Sequence, residues 1–201
     1  IKMTMENAGH ILGSSSVYMQ IGDGKSEHRL LFSGDIKYEK SWLFDAATVR
    51  FPKVDTLVIE STYGGPQSIQ PTRHQASQEL QDLVSDTLSR KGKIFCPVFA
   101  VGRSQEVMLA IDELFKSGRV PPVTVWLDGM ISEASAIHSS HPNFLNRELK
   151  KSMLRGGDEN PFNSSWFKQV DSREMRETIL LDPSPCIVLA TSGMMTGGPI
   201  I

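Results

Sequence analysis

From Leu57 onward the hydrophobic period of the chain switches repeatedly between two and about 3.6 residues. That alternation restricts the fold more than any other feature. Residues 57–60, 93–98, 123–127 and 186–190 are short apolar runs of strand length. Between the first two, Ala76, Leu80, Leu83, Val84 and Leu88 recur at helical spacing and stop at Gly92. Residues 103–116 repeat the pattern with Val107, Met108, Ala110, Ile111, Leu114 and Phe115, and Gly118 serves as the C-cap. Residues 132–138 read as a short helix, 142–155 as an amphipathic basic stretch and 162–171 as irregular. Strands alternating with helices predict an α/β fold with a largely parallel, helix-flanked sheet. The first third differs. Residues 17–21 and 29–32 read as two strands joined by a hairpin signal, Gly22-Asp23-Gly24. The polar, twice-proline segment Pro66–Pro71 ends that region. We place a boundary near Pro66, giving domains 1–66 and 67–201.

The length of 201 residues is enough for one medium or two small domains. Hydrophobic content of 39% supports a sizeable core. No run of about 18 apolar residues is present, so no membrane-spanning helix is expected. A net charge of −2 argues against a surface coated in basic residues for duplex DNA, though not against a local basic groove. Cys96 and Cys186 lie at the edges of apolar runs and read as buried thiols of a reduced, cytoplasmic protein. No C-x-x-C occurs, so no zinc ribbon is expected. The chain begins at Ile1 and ends in an apolar stretch at Ile201, and we expect a piece of a longer protein.

Five segments carry chemistry. Asn7-Ala8-Gly9-His10-Ile11-Leu12-Gly13-Ser14, Ser33-Gly34-Asp35 and Glu60-Ser61-Thr62-Tyr63-Gly64-Gly65 each set a His or a carboxylate at the edge of an apolar run, beside glycine. Ligands on loops at strand ends are how a metallohydrolase gathers metal ions. Taken singly, each residue has a plainer reading. His10 is a loop histidine or a metal ligand. Asp35 is a turn or cap aspartate or a carboxylate projecting into a cleft. Glu60 is equally a cap. Gly102-Arg103-Ser104-Gln105-Glu106 follows a strand and opens a helix, where amide groups and an arginine suit a phosphate. A solvent-facing arginine fits as well. Thr191-Ser192-Gly193-Met194-Met195-Thr196-Gly197-Gly198-Pro199 is a plain loop or a phosphate-binding one. The densest basic cluster is Arg147, Lys150, Lys151 and Arg155, read as a solvated helix face. Trp42, Trp126 and Trp166 read as packing residues.

In order and spacing, these segments resemble the β-CASP metallo-β-lactamase nucleases. Within that family they most resemble archaeal relatives of the nuclease subunit of the cleavage and polyadenylation specificity factor (CPSF). The resemblance spans essentially the whole chain. It implies part of a metallo-β-lactamase αββα fold (residues 1–66) followed by most of an inserted β-CASP domain (67–201). It implies two zinc ions in the intact protein, with His10 as a ligand of one and Asp35 bridging both. Glu60 is then a carboxylate that orients a later histidine rather than a ligand. Arg103, Ser192, Gly193, Gly197 and Gly198 are implied RNA contacts. The implied reaction is RNA endonucleolysis, with 5′→3′ exonuclease activity in some relatives, serving 3′-end processing or transcription termination. RNA is the implied partner, together with a homodimer formed through segments outside these residues.

The family's principal metal motif, His-x-His-x-Asp-His, occurs nowhere in the chain. It is expected before Ile1, and two later histidine motifs after Ile201. His28, His74, His138 and His141 match no family motif. Two rivals stay open here: a non-catalytic RNA-binding or scaffold paralogue, and a small-molecule hydrolase on the same fold. The helix-rich region after Pro66 and the Gly102-Arg103 segment speak against the second.

Overall fold

A computed structural model describes residues 1–24, 26–154 and 160–201. Arg155, the last member of the basic cluster, lies outside the described residues. The chain divides into two compact units, residues 1–70 with 143–150, and residues 71–142 with 151–201.

The first unit is built on a four-stranded sheet in chain order: β1 (Lys2–Asn7), β2 (Ser15–Ile21), β3 (His28–Phe32) and β4 (Thr56–Val58). The first three strands are antiparallel, and β4 joins β3 in parallel. The expected hairpin is β2–β3, with Val17 opposite Phe32. The sequence reading did not include β1, although Lys2-Met3-Thr4-Met5-Glu6 alternates polar and apolar residues at the strand period of two.

Paired residues in a sheet share a face, so register sorts the side chains. Ser16, Tyr18 and Leu31 are buried on one face. Ala8, Leu43, Phe44 and Ala47 belong to the buried core of the same unit. Tyr18 stacks on Phe51 at 6.2 Å and donates its hydroxyl to the Lys53 carbonyl at 3.1 Å. The opposite face carries Met3, Met5, Phe32 and Val58, each between 44% and 64% exposed.

Residues 143–150 pack with this unit through Asn146. Its side chain donates to the Trp42 carbonyl at 2.7 Å and accepts from the Leu149 amide at 3.0 Å. That second bond caps α4 (Arg147–Leu154), whose Leu149 is buried while Arg147 and Lys151 face solvent. Glu148 of this helix pairs with Lys40.

The second unit holds the parallel sheet anticipated from the alternating periods. Its strands are β5 (Lys93–Pro97), β6 (Val125–Asp128), β7 (Phe167–Gln169) and β8 (Cys186–Ala190), in spatial order β5-β8-β6-β7 and all parallel. Strand β8 is central, and all five of its residues are buried, as a strand covered on both faces requires. Pro97 is tolerated because β5 is an edge strand. The helices are α1 (Arg73–Ser89), α2 (Arg103–Lys116), α3 (Ile131–Ser140) and α5 (Arg173–Leu181). Helix α1 starts from a capping box: Thr72 Oγ1 accepts from the Gln75 amide, and the Gln75 side chain accepts from the Thr72 amide. On one side of the sheet, Val170, Ile179, Cys186, Val188 and Ala190 form a cluster with Trp126 and Met175. Both cysteines are free thiols.

Two elements of the second unit, like β1 in the first, go beyond the sequence reading. Strand β7 falls inside the stretch read as irregular, because three residues show no period. Helix α5 was not read either. It begins where Ser172 accepts a hydrogen bond from the Met175 amide at 3.1 Å.

Candidate metal and phosphate sites

His10 and Asp35 lie on loops that leave the same sheet. His10 follows β1, in a loop clamped by Ser14. The Ser14 hydroxyl accepts from the amides of His10 (3.1 Å) and Ile11 (3.2 Å), and its carbonyl accepts from Ala8 (3.1 Å). Asn7 accepts from the Gly9 amide at 2.9 Å, an Asx turn immediately before the histidine. Gly9 sits at φ +69°, where a Cβ would fall 2.8 Å from the Lys37 carbonyl oxygen and 2.9 Å from the Ala47 nitrogen. Only glycine lets these backbones meet so closely.

Asp35 follows β3 after Gly34, which has φ +58°. Its loop is tied to the His10 loop by one hydrogen bond, from the Lys37 amide to the Ala8 carbonyl at 2.8 Å. The two candidate ligands are therefore two residues to either side of a shared backbone bond. His10 is half-buried and Asp35 is exposed. Among the described residues, neither side chain has a hydrogen-bond or ion-pair partner.

Glu60 closes this arrangement. Its carboxylate accepts from the Ile36 amide at 3.0 Å and from the Thr62 amide at 3.2 Å. Its own amide donates to the Ser33 hydroxyl at 3.1 Å, and the Ser33 amide donates to the Val58 carbonyl at 2.9 Å. Hydrogen bonding from Thr62, then from the Ile36 amide, holds the Glu60 carboxyl below its ordinary range, and the charge of nearby His10 acts in the same direction. Glu60 thus fastens the loop that carries Asp35, a contact invisible in the sequence.

The donor chemistry of His10 and Asp35, one imidazole and one carboxylate without other partners, fits zinc. Glu60 is already engaged with backbone amides. Among the described residues, no three His, Cys, Asp or Glu side chains form a group able to hold a metal ion. His10 and Asp35 by themselves supply two donors, fewer than the three protein ligands of a catalytic zinc site.

The candidate phosphate contacts belong to the second unit. Gly102 precedes α2 at φ +82° and donates its amide to Gln105 Oε1 at 2.8 Å. The amides of Arg103 and Ser104 donate to the carbonyls of Val101 and Phe99. The first amides of this helix are thus turned inward, unlike the free donors anticipated from sequence. What remains for an anion is the half-exposed Arg103 guanidinium, which pairs with Glu106 at 2.8 Å. Gln105 is fully buried, and its Nε2 donates to Ser135 Oγ at 3.0 Å and to the Ala100 carbonyl at 3.1 Å.

In the loop after β8, the Ser192 amide donates to the Gly197 carbonyl at 3.2 Å. Gly193 lies against β5's end, where a Cβ would be 3.0 Å from the Phe99 nitrogen. Gly198, at φ +85°, lies 2.8 Å by the same measure from the Thr191 carbonyl oxygen. Among the described residues, the amides of Gly193, Gly197 and Gly198 have no acceptor. Gly197 and Gly198 are consecutive, and successive unpaired amides are donors that an anion can use.

One pair escaped the sequence reading. Asp128 ends β6 with a side chain 4% exposed, and it is held by Arg176 through two bonds of 2.6 and 2.7 Å. The signal was present, since Leu127-Asp128-Gly129 sets an aspartate beside a glycine at the end of an apolar run, as Phe32-Ser33-Gly34-Asp35 does in the opposite order. Gly129 next to it has φ +88° and faces Thr191, which leaves no room for a side chain.

Known proteins resemble this chain over its whole length. A model of the Beta-Casp domain matches residues 104–201. Over all 201 residues the chain is 51% identical to the transcription termination factor FttA of Methanosarcina mazei and 50% identical to that of Cenarchaeum symbiosum, covering 31% of each relative. It is 42% identical to FttA of Thermococcus kodakarensis, covering 30% of that protein. The chain spans about a third of the length of these relatives. Their similarity runs through the His10, Asp35 and Glu60 loops as well as the parallel sheet, and residues 104–201 form a Beta-Casp domain.

Proposed function

We propose that these residues are part of a zinc-dependent endoribonuclease that hydrolyses RNA phosphodiesters in 3′-end processing or transcription termination, with 5′→3′ exonuclease activity open to the same site. The observation that carries this reading is the Ala8–Lys37 bond, which joins the loops of two partnerless donors, His10 and Asp35. Termination by the FttA relatives agrees with RNA as substrate. The apolar face bearing Met3, Met5, Phe32 and Val58 supports reading residues 1–66 as part of a larger metallo-β-lactamase domain. Residues 67–201 are then the β-CASP domain. Among the described residues no helix is long and apolar enough to cross a membrane, and the proposed setting is the cytoplasm.

In this mechanism His10 and Asp35 would hold the metal ions, Asp35 serving as a ligand to both. Zinc bound there would lower the pKa of a water and draw charge from the phosphodiester. Glu60 keeps Asp35 in place through the Ile36 amide and, near His10, would orient an imidazole from a later histidine motif. Arg103 and the open amides of Gly193, Gly197 and Gly198, with Ser192 shaping their loop, bind backbone phosphates. A homodimer would form through segments beyond these residues. In the full-length polypeptide, Asp35→Ala is expected to remove RNA cleavage and release metal, read by a labelled-RNA assay and metal analysis. Wild-type cleavage with wild-type zinc content would overturn the assignment.

A further inference from the structure

The chain has three tyrosines, and they divide sharply. Tyr18 is buried, stacked on Phe51 and hydrogen-bonded through its hydroxyl. Tyr38 and Tyr63 are 74% and 64% exposed, and among the described residues neither ring nor hydroxyl has a partner. Aromatic side chains normally bury their large area. Two left bare need an occupant.

Their positions indicate which one. Tyr38 follows Asp35 by three residues, and Tyr63 follows Glu60 by three. The Glu60 carboxylate bonds the Ile36 amide with one oxygen and the Thr62 amide with the other. One carboxylate therefore anchors the backbone two residues before Tyr38 and one residue before Tyr63. Three residues of chain span at most about 11 Å, so both rings stand within reach of the candidate metal-binding loops. Lys37, between Asp35 and Tyr38, has no carboxylate partner among the described residues. An anchored pair of exposed rings beside an unpaired cation suits a single-stranded polyanion whose bases have free π-faces. Tyrosine brings that surface with few torsions to freeze.

We propose that Tyr38 and Tyr63 are base-stacking platforms that seat unpaired nucleotides beside the candidate metal-binding loops. This rests on the RNA-hydrolase reading above. The test is fluorescence anisotropy of the full-length polypeptide with a labelled oligouridine and with an abasic ribose-phosphate chain of equal length, under chelator to prevent cleavage. Tyr38→Ala and Tyr63→Ala are each expected to weaken oligouridine binding by about 5- to 150-fold, the range carried by base–aromatic stacking. Binding of the abasic chain should stay within about twofold, because only phosphate contacts remain there. Tyr38→Phe and Tyr63→Phe should keep near wild-type affinity, since the ring is what stacks. Wild-type oligouridine affinity in the alanine variants, or equal losses on both chains, would overturn the platforms alone. A wild-type protein that binds neither chain would overturn the RNA reading and the platforms with it.

Discussion

Gly9 and Gly13 flank His10 in one loop, and alanine at each should have different consequences. Both have left-handed backbones, φ +69° and +82°. An alanine in that region costs about 1–2 kcal/mol relative to ordinary backbone. At Gly13 nothing lies within 4 Å of the added Cβ, so that cost stands alone. At Gly9 the Cβ would meet the Lys37 oxygen at 2.8 Å, the Ala47 nitrogen at 2.9 Å and the Asp45 oxygen at 3.0 Å. All three are backbone atoms, so no side chain can swing aside. Overpacking of this kind adds about 1–3 kcal/mol, giving about 2–5 kcal/mol for Gly9→Ala against 1–2 for Gly13→Ala. Urea denaturation followed by circular dichroism measures both, with the slope as a check on two-state behaviour. Gly13→Asn should recover part of the loss, because asparagine tolerates this conformation better. The contact around Gly9 also joins the two ligand loops, so Gly9→Ala should lower metal content while Gly13→Ala leaves it near wild type. Equal destabilisation by the two alanines would refute the close approach on which the site geometry depends.

Three further outcomes are expected. Arg176→Ala leaves the buried Asp128 carboxylate without its two bonds and should destabilise the protein by about 3 kcal/mol, more than Asp128→Asn does in the same denaturation series. Glu60→Ala should speed hydrogen exchange at the Ile36 and Thr62 amides. Because the folded Glu60 carboxyl lies below its ordinary value, its contribution is present above about pH 4.5 and is lost as pH falls through the lower folded value. Glu60→Ala should therefore flatten stability across that acid window, and an unchanged profile would refute the contact. His138 is buried at the end of α3, bonded to the Ala134 carbonyl at 2.7 Å, and burial pushes its imidazole below the ordinary value. The unfolded chain then takes up the proton first, so stability should be full above about pH 6.5 and decline as pH falls below it. His138→Gln should remove that slope, and a slope that persists would assign it to another group.

Much of this protein was legible in its sequence because the governing forces are local. A hydrophobic period is set by which face of a single segment meets the core, so α2, β8 and the β2–β3 hairpin could be read residue by residue. The same holds for glycines beside His10 and Asp35, whose backbone freedom is a property of the residue itself. Short β7 escaped because three residues carry no period, and α5 because its nine residues bury only Ile179, too little to display a helical period.

What tertiary structure decided are relations between distant parts of the chain. The order β5-β8-β6-β7 places the last strand in the middle, and only the crossovers determine that. Residues 143–150 leave their sequence neighbours for the first unit because Asn146 finds the Trp42 carbonyl more than a hundred positions away. Gly9 and Gly13 look alike in sequence, yet only one is crowded by the 37–47 backbone. Glu60 reads as a cap on its own strand, but its carboxylate holds the Asp35 loop, 24 positions earlier. Such contacts depend on where other segments come to rest once the chain has collapsed. No local pattern encodes them, and they are what turn His10 and Asp35 from two loop residues into one candidate site.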